Sequence, residues 1–121
     1  MKKTLVFGAS LNSERYSNLA LKMLADRKLE AIGFGPKSGF AYGIPIYSDF
    51  SELQHLEIDT VTLYLNPRLQ SQYYQNILDL KPKRVLFNPG TENPEFSKKL
   101  AAAGIETSDA CTLVLLTTGV Y

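Results

Sequence analysis

The chain has 121 residues, of which 45% are hydrophobic and 21% charged, with a formal net charge of +1. That length suits a single domain over residues 1–121 with room for a core, and leaves no space for a second one. The near-neutral balance gives no general attraction to nucleic acid or to a membrane surface, so any anion site has to be local. Cys111 is the only cysteine, which excludes an intrachain disulfide framework and suits a reducing compartment. Met1-Lys2-Lys3 runs straight into a short apolar stretch without the longer run and small-residue cleavage site of a signal peptide. No apolar stretch approaches the roughly 20 residues of a membrane span. A cytoplasmic protein is the expectation.

Thr4-Leu5-Val6-Phe7 predicts the first strand, stopped at Gly8-Ala9-Ser10. A polar run from Leu11 to Asn18 follows, and helical periodicity takes over near Tyr16. Leu19, Ala20, Met23 and Leu24 then share one face of a helix expected from Tyr16 to Lys28. Leu29 to Phe34 reads as the second strand, and Gly35-Pro36-Lys37-Ser38-Gly39 as a loop. Gly43 to Tyr47 reads as a short extended segment, in which Pro45 argues for a sheet edge or no ladder at all. Ser51 is the candidate cap of a brief helical turn through Leu53.

Thr60 to Leu65 is the clearest strand in the chain. Asn66-Pro67 follows as a helix N-cap and first-position pair, opening a helix with Leu69, Tyr73, Ile77 and Leu80 on one face. Arg84 to Phe87 is the fourth strand, ended by Asn88-Pro89-Gly90. Asn93-Pro94 repeats the cap pattern for a helix that stops at Gly104. Ile105 to Ser108 is a fifth short strand, and Ala110 to Thr117 a closing helix. Five strands alternating with helices predict an α/β, Rossmann-like doubly wound sheet, mostly parallel, with helices on both faces. No internal repeat or linker interrupts it.

In such a sheet a ligand sits outside the carboxyl ends of the strands. The loops there are Gly8-Ala9-Ser10, Gly35-Pro36-Lys37, Asn66-Pro67 and Asn88-Pro89-Gly90, rich in Gly, Pro and Asn with one lysine. The first turn offers backbone N–H groups and a helix N-terminus to a phosphate, and equally serves as a structural tight turn. An NAD site asks for three spaced glycines after the first strand and an acid after the second; here there is one glycine and a lysine. A receiver-type signalling domain is disfavoured too, since Asn66-Pro67 stands where its aspartate should end the third strand.

In order and spacing, Phe7-Gly8-Ala9-Ser10, Tyr16-Ser17-Asn18, Gly35-Pro36-Lys37, Asn66-Pro67 and Asn88-Pro89-Gly90 together resemble the small stand-alone CoA-binding proteins. These are relatives of the CoA-binding domain in the α subunit of succinyl-CoA synthetase. The resemblance covers nearly the whole chain and implies coenzyme A, free or acylated, as the ligand. It implies that the N–H groups of Gly8 to Ser10 meet the phosphates and that Tyr16 to Asn18 flank phosphates and pantetheine. Lys37 would reach the ribose 3′-phosphate, and the loops at Asn66-Pro67 and Asn88-Pro89 would wall the adenosine and pantetheine. Lys37 is also readable as a solvated loop lysine, Asn66 and Asn93 as plain caps, and Tyr16 as a helix-packing residue.

No catalytic set emerges. One histidine and one cysteine make no metal-ligand cluster and no triad. His55 reads as a surface residue, Cys111 as a small core residue, and Glu92 and Glu95 as favourable charges at a helix N-terminus. The synthetase's phosphorylated histidine lies outside its CoA-binding domain. The expectation is a non-enzymatic module that binds CoA or acyl-CoA, with no nucleic acid or membrane partner. Two alternatives remain: an NADP-binding oxidoreductase fragment, which Lys37 permits, and a protein-interaction module whose nucleotide site is vestigial.

Overall fold

Alternation along the first strand, β1 (Thr4–Phe7), sets up two cores. Side chains point to opposite faces at successive positions. Leu5 and Phe7 join one buried cluster and Val6 the other, and all three are fully buried. A strand apolar on both sides must be covered on both faces. The computed structural model describes residues 3–121; Met1 and Lys2, on which the reading of the N-terminus partly rests, lie outside the described residues.

The elements in order are β1, α1 (Tyr16–Asp26), β2 (Ala31–Phe34), β3 (Gly39–Ala41), β4 (Ile44–Tyr47) and β5 (Thr60–Leu63). There follow α2 (Pro67–Gln70), α3 (Tyr74–Leu80), β6 (Arg84–Phe87), α4 (Pro94–Ala102), β7 (Glu106–Asp109) and α5 (Thr112–Thr118). Short 3-10 turns occupy Phe50–Leu53 and Ser71–Tyr73. The sheet order is β3-β4-β2-β1-β5-β6-β7, parallel throughout except for the antiparallel β3–β4 pair. Leu21 and Leu24 of α1 pack with Leu116 of α5 on one face. Ile77 of α3, with Phe96 and Leu100 of α4, covers the other. This is the expected doubly wound, Rossmann-like arrangement.

It has seven strands rather than five. β3 and β4 form a hairpin that extends the sheet beyond β2, so the expected extended segment is an inner strand from Ile44 to Tyr47, not an edge, and Gly43 belongs to the hairpin loop. Pro45 is tolerated there because the parallel ladder to β2 engages only Ile46 and Tyr47, after the proline. β3 has three residues and is defined only by its partner, which left no periodicity to read.

Other boundaries moved for local reasons. α1 stops at Asp26 because Lys28 adopts φ 56°, the left-handed C-terminal position usually given to glycine. Leu29 N–H then bonds Leu24 O and Lys28 N–H bonds Ala25 O, closing the helix end. The turn after β4 is capped by Asp49, whose carboxylate accepts from Ser51 N–H, so Ser51 is the capped residue and not the cap. The helix opened by Asn66 breaks at Ser71–Tyr73 before resuming as α3. That break drops Tyr73 against Phe7 and Phe34, with ring centroids 5.1 and 5.7 Å apart. Among the described residues no helix is long and apolar enough to cross a membrane.

Candidate functional site

β1 is the point where the strand order reverses, with β2 on one side and β5 on the other. Connections from these strands leave to opposite faces, and a crevice opens at their carboxyl ends. The cleft found there has a volume of about 610 Å³, within the range of about 300–1,000 Å³ usual for small-molecule sites.

Ten of the fifteen expected residues line it: Gly8, Ala9 and Ser10; Tyr16 and Ser17; Pro36 and Lys37; Asn66; and Pro89 and Gly90. The other five do not. Phe7 is fully buried among Phe34, Phe50 and Tyr73. Pro67 is the first residue of α2, and Asn66 caps that helix by accepting from Leu69 N–H at 3.0 Å. Gly35, Asn18 and Asn88 are buried behind the lining and hold it in shape.

The turn after β1 is set by backbone contacts. Gly8 has φ 98°, a conformation L side chains rarely adopt, and it lies against the backbone of Tyr64. The N–H groups of Gly8 and Ala9 both donate to Phe34 O at 2.8 Å. Those two donors are therefore committed to β2, which corrects the expectation that all N–H groups from Gly8 to Ser10 face a ligand. The N–H groups of Ser10, Leu11 and Ser17 have no acceptor among the described residues. They belong to the turn and the first turn of α1, where donors and helix dipole suit an anion.

Two buried side chains fix the far wall. Asn88 Nδ2 donates to Thr62 Oγ1 (2.7 Å) and Leu63 O (2.8 Å), and its Oδ1 accepts from Thr112 N–H (2.8 Å). It thereby ties β5, β6 and α5 together. Gln70 is fully buried, and its Nε2 donates to Leu65 O and Thr91 O, both at 2.8 Å. Asn93 Nδ2 in turn donates to Gln70 Oε1, while Asn93 Oδ1 caps α4 through Phe96 N–H. The loops after β5 and β6 are thus joined through one buried amide.

Six further residues line the cleft that sequence reading missed: Leu11, Asn12, Arg15, Tyr64, Leu65 and Thr91. Tyr64 and Leu65 look like strand continuations; β5 ends at Leu63, which leaves them in the loop. Arg15 occupies the N-cap of α1 without making a side-chain cap bond. Its position just before the expected helix start was a readable signal. Arg15 and Lys37 make the lining cationic, and among the described residues of the lining there is no carboxylate, histidine or thiol. Burial pushes the Tyr64 phenol well above its ordinary pKa, with nearby Cys111 adding to the shift. Its hydroxyl is buried without a hydrogen-bond partner among the described residues, close to the Thr62–Thr112 hydroxyl pair. His55 is exposed, and Cys111 is half-buried at the N-cap of α5. No group of histidines, cysteines and carboxylates that could hold a metal occurs among the described residues.

A family model described as a CoA binding domain matches residues 2–117. A crystal structure of a protein described only as uncharacterized is 44% identical, covering 100% of this chain and 98% of its own, with a TM-score of 0.89. The structure described as cell-free ID.343 from Thermus thermophilus is 20% identical, covering 99% of this chain and 90% of its own, with a TM-score of 0.88. The fold also matches a dinucleotide-forming acetyl-coenzyme A synthetase from Ca. Korarchaeum cryptofilum, solved with phosphate and ADP. That likeness is 14% identical, covers 89% of this chain but 25% of the synthetase chain, and has a TM-score of 0.71. No curated protein matches the chain by sequence.

Proposed function

Because the chain belongs to the CoA binding domain family, we propose that its cleft binds coenzyme A or an acyl-CoA and does not transform it. The observation that carries this reading is the charge and donor pattern of the cleft. Arg15 and Lys37 stand with the donors of Ser10, Leu11 and Ser17 around a crevice whose lining has no carboxylate. CoA carries a pyrophosphate and a separate ribose phosphate, and a cleft with two cations suits separated phosphate groups. In this reading the pyrophosphate lies at the N-terminus of α1 and the 3′-phosphate at Lys37, beyond β2.

Catalysis by general acid–base or nucleophilic routes requires a titrating or nucleophilic group within reach of the ligand. The lining supplies tyrosines, hydroxyls and cations. Tyr64 is held further from ionisation than a free phenol. A binding role fits this set better than a reaction.

Calorimetric titration with CoA, dephospho-CoA and NADP tests the reading. CoA should bind most tightly. Binding of NADP in preference to CoA would transfer the site to an oxidoreductase-type ligand. Binding of none of the three would reject the nucleotide reading and leave an interaction module.

A further inference from the structure

We infer that Tyr42, outside the cleft, is a positioning residue for its phosphate turn: the β3–β4 hairpin pins that turn through Asn18, an inference that rests on the CoA reading above.

Tyr42-Gly43 is the two-residue loop between the paired residues Ala41 and Ile44. Both loop residues have positive φ, 55° and 80°, the pattern of a type I′ hairpin turn, for which Asn-Gly is the favoured pair. A bulky side chain is strained in that conformation, and such outliers persist where the surroundings demand them. Here the demand is visible. Tyr42 Oη donates to Asn18 Oδ1, and Asn18 Nδ2 donates to Ser10 O at 2.8 Å. Asn18 is 2% exposed, so its amide has little access to substitute partners.

The relay acts on the donors left for a ligand. A trans peptide is planar, so the carbonyl of Ser10 and the N–H of Leu11 point in opposite directions. Holding Ser10 O therefore orients Leu11 N–H. Leu11 lines the cleft, and its N–H has no acceptor among the described residues. The Ser10 carbonyl can only accept, so it holds Nδ2 of the Asn18 amide, and Oδ1 is left to take the hydrogen bond from the Tyr42 phenol, which fixes the amide's position from the other end. The hairpin, an extension of the sheet beyond β2, thus sets the donor geometry of a turn that follows β1.

Two variants separate this role from plain structural support. Tyr42→Phe removes only the hydroxyl. Tyr42→Asn removes the hydroxyl and also places the favoured residue at the strained position, so its melting temperature should equal or exceed the wild type's. Both should bind CoA roughly two- to ten-fold more weakly, the range for one neutral hydrogen bond. Weaker binding with undiminished stability in Tyr42→Asn is an outcome structural support does not produce. Amide hydrogen exchange of Ser10 to Asn12 in the ligand-free proteins should quicken in both variants. If the wild type binds CoA and both variants bind it equally well, the positioning role is overturned and the CoA reading stands. If the wild type binds no CoA, that reading fails, and exchange decides the relay on its own: faster exchange supports it, and unchanged exchange overturns it.

Discussion

The carbonyl oxygen of Ala9 occupies the space in which a β-carbon on Gly35 would stand, so the turns after β1 and β2 meet backbone to backbone. Gly33 makes a similar concession, since a Cβ there would press on the Ala9 side chain at 2.7 Å. The two glycines let the first turn settle onto β2, where Phe34 O collects two N–H groups. The turn that lines the cleft is therefore seated where side chains are absent behind it.

Gly35→Ala should destabilise the fold by at least about 2 kcal/mol, because a rigid backbone atom, not a flexible side chain, is in the way. Chemical denaturation measures it. A variant as stable as the wild type would show that the two turns can separate freely.

Lys37→Ala tests the ribose phosphate. Hydrogen bonds to charged groups are worth about 1.5–3 kcal/mol, less at an exposed position, and Lys37 is exposed. CoA affinity should fall roughly ten-fold, with dephospho-CoA nearly unaffected and the difference shrinking as salt rises. Equal loss of both ligands would move Lys37 to the pyrophosphate.

Arg15→Ala makes the complementary case. Placed at the N-cap of α1, Arg15 should act on the pyrophosphate that CoA and dephospho-CoA share. Both affinities should drop by a similar factor, on the order of ten-fold. A selective loss of CoA would exchange the roles of Arg15 and Lys37.

Asn88→Ala and Asn66→Ala should differ although both residues follow a strand. Asn88 makes three buried bonds to β5 and α5, and its loss strands those partners, at about 1–3 kcal/mol for each unsatisfied buried group. Asn66 supplies one exposed helix cap, worth about 1 kcal/mol. Thermal melts of the two variants that coincide would contradict the assignment of Asn88 as the tie between β5, β6 and α5.

The strands most legible in the sequence were those buried on both faces, because a run of apolar and β-branched residues needs no partner to be recognised. β1, β5 and β6 are of this kind. So are the caps Asn66-Pro67 and Asn93-Pro94, whose chemistry is complete within four residues. The glycine turn, Lys37 and the loops at Asn66 and Pro89 could be placed at one sheet end from strand order alone, and they do share one cleft.

What local chemistry could not reveal was decided by pairing and by competition for partners. β3 exists because β4 offers it a ladder, and Tyr42 bears a strained backbone because Asn18 lies within its reach. Gln70 sits in a run of polar residues that reads as a solvated helix face; folding buries it between Leu65 and Thr91. The N–H groups of Gly8 and Ala9 look available in sequence and are claimed by the carbonyl of Phe34, which lies far along the chain at the end of β2. A sequence carries the propensities and periods of its own segments, and those determined the sheet, its covering helices and the end at which the cleft opens. Which donors remain for a ligand depends on atoms brought together from distant segments, and only the tertiary structure decides that.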